Sequence, residues 1–334
     1  MSPFPARLRW LRRALVALGA CVVALLLLEL GLRTVGYPFP QPRTYPGEHE
    51  SRPSGHFGAD PALGWRMLRG ARLMYETEGR EHVYLSNERG FRIGETPSTG
   101  TRTLAVLGDS FAWGAGVSFD ETFAARTAAA LGWRVENFGM PGYGIDQIAE
   151  TLRRCVLKDE PELVLVAIYA WDFQRSLDAY REIEGWSKPA YRLVDGELVE
   201  RTLADTPTGP LRWLDRHSYA FTASKLASWK LAMRWPHGEW WTLNRAFVER
   251  MIDDCKAANV ELAFVHVPTM SWNAFPAFGE LCAERGVPWL DVAAEVDEPP
   301  AGLYYASDKH LNAVGHAWLA EKIVAWLRER PLGD

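Results

Sequence analysis

The chain has 334 residues, 48% hydrophobic and 24% charged, which excludes a disordered or fibrous protein and allows one large or two small domains with a substantial core. A formal net charge of −5 excludes a general nucleic-acid binder, which needs a basic stripe to meet phosphates. Cys21, Cys155, Cys255 and Cys282 include no C-x-x-C pair and make neither a disulfide framework nor a zinc site, although one bridge between Cys255 and Cys282 stays open.

At the N-terminus, Arg7, Arg9, Arg12 and Arg13 precede an uncharged run over residues 14–28. Glu29 interrupts it and residues 30–32 extend it. The whole is roughly 19 residues, about 28 Å of helix, enough to cross a bilayer core. Glu29 then falls near the far interface, where its charge reaches water. The basic flank places the N-terminus on the cytoplasmic side and the rest of the chain outside. A cleaved signal peptide is the first rival, but no small-x-small site follows the run. A lipoprotein box at residues 18–21 is the second, but apolar residues continue past Cys21. Residues 36–58, rich in Pro, Gly and charge, read as a linker. Short alternating stretches between residues 60 and 92 predict one or two hairpins.

The pattern then changes. Apolar runs at residues 103–107, 134–138, 163–168, 261–267 and 288–292 alternate with helical stretches such as 121–131 and 145–157. Buried strands alternating with helices imply a parallel sheet covered on both faces, with its site at the carboxyl ends of the strands. Those ends carry Ser110, Gly139 and Asp172. The rhythm breaks between residues 173 and 241, an insertion holding Trp186, Trp213, Trp229, Trp235, Trp240 and Trp241. Fifteen tryptophans in the chain are many. They serve packing, or some stack on sugar rings or sit at a membrane surface. Asn312 is a good N-cap for a final helix with an apolar stripe at Leu319, Ile323 and Leu327.

Two stretches carry chemistry. Gly108-Asp109-Ser110 follows a strand and opens a helix, whose free amides favour developing negative charge. Serine alone is a weak nucleophile and needs a base. Asp308-Lys309-His310-Leu311-Asn312 supplies an imidazole to take the proton and a carboxylate to hold its tautomer. Alone, the first stretch reads as an ordinary turn and the second as a loop before a helix. His266 and His316 read as core and structural histidines. No metal-ligand pattern is visible, no phosphate-binding glycine loop opens a helix, and no cofactor is expected.

Taken together, the blocks resemble the SGNH/GDSL hydrolase superfamily, in particular its bacterial membrane-anchored members. The resemblance runs through residues 29–33 at the end of the anchor, Ser86-Asn87-Glu88-Arg89-Gly90-Phe91-Arg92, and Leu107-Gly108-Asp109-Ser110-Phe111 with Gly114 and Gly116. It continues through residues 137–144 around Gly139 and residues 308–312 followed by Gly315-His316. It implies a three-layer α/β/α sandwich with a five-stranded parallel sheet, flavodoxin-like in outline, over residues 101–334. Residues 1–35 would be tail and anchor, and 36–100 linker and hairpins. It also implies that Ser110 attacks an ester carbonyl, that His310, oriented by Asp308, acts as base and then acid, and that the Ser110 and Gly139 amides face the oxyanion. Asp109, Asp172 and Asn312 would support the site. The chain departs from the family at Trp171, which stands where an asparagine oxyanion donor is expected, and at Ser307, where many relatives carry the triad Asp. The expected function is an extracytoplasmic serine esterase, in the periplasm and held to the inner membrane by a single pass. It would act on O-acyl esters such as O-acetyl groups of a glycan. The alternatives are a glycan O-acyltransferase using the same residues, and a non-catalytic glycan-binding or assembly protein that keeps the fold.

Overall fold

The computed structural model describes residues 6–36, 56–177, 180–181, 186–201, 209–232, 238–267, 276–292, 300–307 and 309–330. Most of the expected linker, and Asp308 and Trp235, lie outside the described residues. In chain order, α1 (Ala6–Val35) precedes two antiparallel groups, β1 (Phe57–Asp60) with β2 (Gly64–Met67), and β3 (Arg72–Thr77), β4 (Arg80–Ser86) and β5 (Arg92–Ile93). Then come β6 (Thr103–Leu107), α2 (Ser110–Trp113), α3 (Phe123–Leu131), β7 (Arg134–Asn137), α4 (Ile145–Thr151), β8 (Leu163–Ile168) and α5 (Ala170–Arg175). Four short strands follow: β9 (Tyr180–Arg181), β10 (Trp186–Ser187), β11 (Tyr191–Val194) and β12 (Glu197–Glu200). The chain continues with α6 (Gly209–His217), α7 (Tyr219–Ala232), α8 (Glu239–Ala257), β13 (Glu261–His266), α9 (Pro276–Arg285), β14 (Trp289–Leu290) and α10 (Ala313–Arg328).

The chain divides into two compact units. One holds Met1–Arg43 and Asp205–Arg234, the other Thr44–Ala204 and Trp235–Asp334. In the first, α1 carries a 26-residue apolar stretch, Trp10–Val35, with mean hydropathy 2.6 and none of its best window buried, and α7 packs along it. Part of the insertion thus belongs with the N-terminal helix. Glu29, expected to reach water, instead accepts hydrogen bonds from Ser218, Tyr219 and Ala220.

In the second unit, five strands of the described residues form a parallel sheet in the order β14-β13-β8-β6-β7. The five-residue run of β6 and the six-residue run of β8 are buried throughout, as strands covered on both faces must be. Successive side chains point to opposite faces. Leu104, Val106, Leu163, Leu165, Ala263 and Val265 pack with α3 and α10 residues such as Phe123, Ala128, Leu319 and Ile323. Phe264, one residue out of phase, meets Phe278 of α9 with ring centroids 5.2 Å apart. Helices on both faces make a three-layer α/β/α sandwich. The sheet order reverses at β6, since the chain runs from β6 to β7 on one side and then to β8 on the other. Such a switch point opens a crevice at the carboxyl ends of the strands, and Ser110 follows β6 there.

Two buried groups tie the layers. Lys188 and Asp146, both fully buried, form an ion pair between the segment after β10 and the start of α4. Burial raises the Asp146 carboxyl and the Lys188 ammonium opposes that rise. In α10, His316 is 1% exposed and its Nδ1 accepts the Phe123 amide at 3.1 Å, so the ring is held neutral. Burial pushes it from the usual 6.5 down to about 3. The unfolded chain therefore takes up a proton that the folded chain refuses, and stability falls as pH drops from 6.5 towards 3. Between pH 7 and pH 5 the stability of wild type relative to His316→Gln is expected to fall by about 2 kcal/mol. Urea unfolding of the full chain at both values checks this, and a pH-independent difference would show that His316 does not carry the effect.

Candidate active site

Gly108 makes the exit from β6 possible. Its φ is +148°, and a Cβ there would lie 2.6 Å from the Ala167 carbonyl oxygen and 2.8 Å from the Ala112 Cβ. The chain turns sharply into α2, which Asp109 caps by accepting the Phe111 amide on Oδ1 at 2.9 Å. This sets Ser110, 8% exposed, at the first position of α2.

His310 reaches it from the far end of the chain. Leu311 bridges Tyr304 in antiparallel fashion, the Tyr305 amide donates to the His310 carbonyl at 2.9 Å, and the Asn312 amide donates to the Leu303 carbonyl at 2.9 Å. Asn312 then starts α10 by accepting the Val314 and Gly315 amides at 2.9 and 3.0 Å. The loop is pinned from outside by Tyr305 Oη, which donates to the Gly116 carbonyl at 2.6 Å, and by the Ser307 amide, which donates to Glu78 Oε1 at 2.8 Å. So held, His310 Nε2 lies 2.8 Å from Ser110 Oγ, with its ring 5.0 Å from that of Phe111. Residues 200 positions apart thus bring a serine hydroxyl and an imidazole within hydrogen-bond reach, the arrangement that nucleophile and base require. Asp308, expected to orient His310, lies outside the described residues.

Beneath Ser110 lies a charge cluster that sequence reasoning missed. Arg175 Nη1 donates to Asp109 Oδ2 at 2.8 Å, Asp172 Oδ1 at 2.7 Å and the Tyr143 carbonyl at 3.1 Å. The two carboxylates are 1% and 0% exposed and Arg175 12%. Each carboxylate also accepts a backbone amide, Phe111 for Asp109 and Tyr169 for Asp172. Asp109 and Asp172, placed near the site by sequence, are thus joined through one guanidinium. The signal was present as Asp172-x-x-Arg175, three residues apart at the start of a helix.

The glycine block differs from expectation in one respect. The Gly139 amide, expected to face the oxyanion, donates instead to Asn137 Oδ1 at 2.8 Å. Asn137 Nδ2 donates to the Ala112 carbonyl at 2.7 Å, so this side chain binds the end of β7 to the backbone of α2. Gly139 is needed for close approach, since a Cβ there would lie 2.4 Å from the Trp113 amide nitrogen. Trp171 stands in the first turn of α5 and is half-buried.

Arg92, from the stretch before the first core strand, is buried and gives Nη1 to the Trp113 and Gly114 carbonyls at 2.5 and 2.6 Å and Nη2 to the Val117 carbonyl at 2.6 Å. Tyr84 lies under its guanidinium at 4.3 Å. Burial lowers it to about 10, so it stays charged at neutral pH and braces the turn after α2. At the neighbouring strand ends, His266 meets Asp291 at 2.9 Å and stacks on Trp289. Among the described residues, no group of three His, Cys, Asp or Glu side chains could hold a metal.

No family model matches the chain, and no curated protein does. Solved structures with a similar fold include a lipase/acylhydrolase from Enterococcus faecalis, at 16% identity and TM-score 0.41, covering 69% of this chain and 97% of that one. An acetylxylan esterase from Geobacillus stearothermophilus is similar at 15% identity and TM-score 0.40, covering 70% of this chain and 100% of that one. A further acetyl xylan esterase shows 12% identity and TM-score 0.41, over 67% of this chain and 98% of that one.

Proposed function

We propose that this chain is a serine esterase of the SGNH/GDSL type, anchored in the bacterial inner membrane by α1 with its catalytic unit in the periplasm, and that it cleaves O-acyl esters. The observation that carries this reading is the 2.8 Å contact between Ser110 Oγ and His310 Nε2 at the switch point of a parallel sheet. Nε2 takes the hydroxyl proton as Oγ attacks the ester carbonyl carbon. The tetrahedral oxyanion collapses, and the departing alkoxide takes that proton from Nε2. Water then attacks the acyl-enzyme and gives its proton to Nε2. Collapse releases the acid and returns the proton to Oγ.

With the Gly139 amide occupied by Asn137, the oxyanion donor we assign is the Ser110 amide at the start of α2, with the Trp171 indole N–H as a second. Asp308, two residues before His310, is assigned the orienting role. The membrane orientation rests on the arginines before the apolar run. An intact nucleophile–base pair favours the enzyme reading over a binding protein that keeps only the fold. O-acetyl groups on a glycan are the substrate class we favour, since an extracytoplasmic esterase meets surface polysaccharide there.

The test is labelling of the full chain with a fluorophosphonate probe. Wild type should be labelled and Ser110→Ala should not. Equal labelling of the two proteins, or none of folded wild type, would overturn the assignment.

A further inference from the structure

The first unit is built around two charged side chains near the end of an apolar helix. The Glu29 carboxylate accepts Ser218 Oγ at 2.9 Å and the Tyr219 and Ala220 amides at 3.1 and 2.8 Å. Those amides open α7 and have no acceptor within their own helix, so Glu29 of α1 completes a cap in which Ser218 Oγ accepts the Phe221 amide at 3.1 Å. Arg33 Nε bonds Glu29 at 2.7 Å, its Nη2 donates to the His217 carbonyl at 2.8 Å, and its guanidinium lies 5.4 Å from the centre of the Tyr219 ring. The junction of α6 and α7 is therefore latched to the last two turns of α1. At a rise of 1.5 Å per residue, Arg33, which closes the apolar run, lies about 28 Å along the helix from Ala14, where that run begins, and a hydrocarbon core is about 30 Å thick. The Arg33 end of the latch falls where the span meets the headgroups, with Glu29 one turn before it.

Beside that latch, α6 turns large apolar groups outward. Leu211 is 57% exposed and Trp213 58%. Leu214, three residues beyond Leu211, is half-buried. Trp213 stacks on the exposed ring of His217 at 5.2 Å. Trp and Tyr gather at membrane–water interfaces because each ring has an apolar body and a polar edge. On this short helix Leu211 and the half-buried Leu214 share one side and Trp213 faces away from Leu211, an arrangement that fits an interfacial position.

We propose that residues 209–232 form a second membrane contact, with α6 lying in the headgroup region of the leaflet where α1 emerges, with Leu211 directed towards the acyl chains and with Trp213 at the headgroup level. This rests on reading α1 as a membrane span. The occupant is a bilayer, not a second copy of the chain, because Glu29 and Arg33 hold the end of α6 beside the point where the apolar surface of α1 itself ends. The chain passes between the units after residues 43, 204 and 234. The catalytic unit is thus joined to the membrane-facing unit by three connections.

Spin-label accessibility in the full chain tests this. Cys155, Cys255 and Cys282 are buried, and burial raises the last two thiols to about 12, so Cys21→Ala gives a background for labelling one introduced cysteine. Labels at Leu211→Cys, Leu25→Cys and Val199→Cys would be measured in vesicles of phosphatidylethanolamine and phosphatidylglycerol. The expected ratio of collisions with oxygen to collisions with a water-soluble nickel chelate is above one at 211 and 25, and below one at 199. A ratio below one at 211 with a ratio above one at 25 would overturn the contact and leave the anchor standing. Ratios below one at both would overturn the anchor as well. Protection of position 211 from both reagents would mean that protein covers it, which also rejects a lipid contact. If Leu211→Cys fails to fold, Leu214→Cys, on the same side of α6, carries the same expectation.

Discussion

His310→Ala is expected to lower turnover on a small aryl ester by about four orders of magnitude, with KM within a few-fold of wild type. The reason is chemical. At neutral pH the Ser110 hydroxyl is a poor nucleophile until a base takes its proton, and Nε2 at 2.8 Å is placed to do so. Proton transfer belongs to the transition state, so its loss appears in kcat and leaves ground-state binding largely untouched. The fold should survive. The loop is held by backbone bonds from Tyr305 and Asn312 and by the Tyr305 hydroxyl on Gly116, and none of these uses the imidazole. Steady-state kinetics with circular dichroism of the variant would check both halves. A loss of less than tenfold in a folded variant would mean that another group activates Ser110.

Which parts of this site the sequence revealed depends on how each residue acts. Ser110 and His310, which the structure brings together, stand at the ends of recognisable elements, so a strand followed by Gly-Asp-Ser and a loop before an N-capping Asn312 point to both. The sheet was legible because β6 and β8 are uninterrupted apolar runs, which only a doubly covered strand requires. The roles of Asn137, Arg92 and Arg175 were not legible, although the first two stand in the resembling blocks, because their partners are backbone carbonyls and carboxylates brought close only by tertiary structure. An arginine three residues after an aspartate looks like a solvated helix pair, yet Arg175 lies beneath the nucleophile. Glu29 misled for the opposite reason. A lone charge near the end of an apolar run is usually assigned to water, whereas its partners are amides about 190 residues away.

Arg175→Met should destabilise the catalytic unit by about 3–5 kcal/mol, the range for removing one partner of a buried ion pair. The cluster holds one guanidinium against two carboxylates, Asp109 and Asp172, that are almost wholly buried. Methionine preserves the volume of the side-chain stem but strands both carboxylates in a low-dielectric site, where the charged form is costly. Asp109 caps α2 through the Phe111 amide, and α2 carries Ser110. A shift in that carboxylate therefore moves the nucleophile relative to His310, and displacement on the order of 1 Å can cost about a hundredfold in rate. Arg175→Lys separates the two consequences. A lysine keeps the positive charge, but its ammonium is a single point that cannot match the guanidinium's reach to Asp109, Asp172 and the Tyr143 carbonyl together. That variant should fold and recover most of the stability, while kcat stays depressed at nearly unchanged KM. Urea unfolding and ester kinetics on wild type and both variants would decide. If Arg175→Met proved as stable and as active as wild type, the cluster would be neither a structural cation site nor a positioning device. If Arg175→Lys restored stability and turnover together, charge neutralisation alone would explain Arg175, without any geometric hold on the nucleophile.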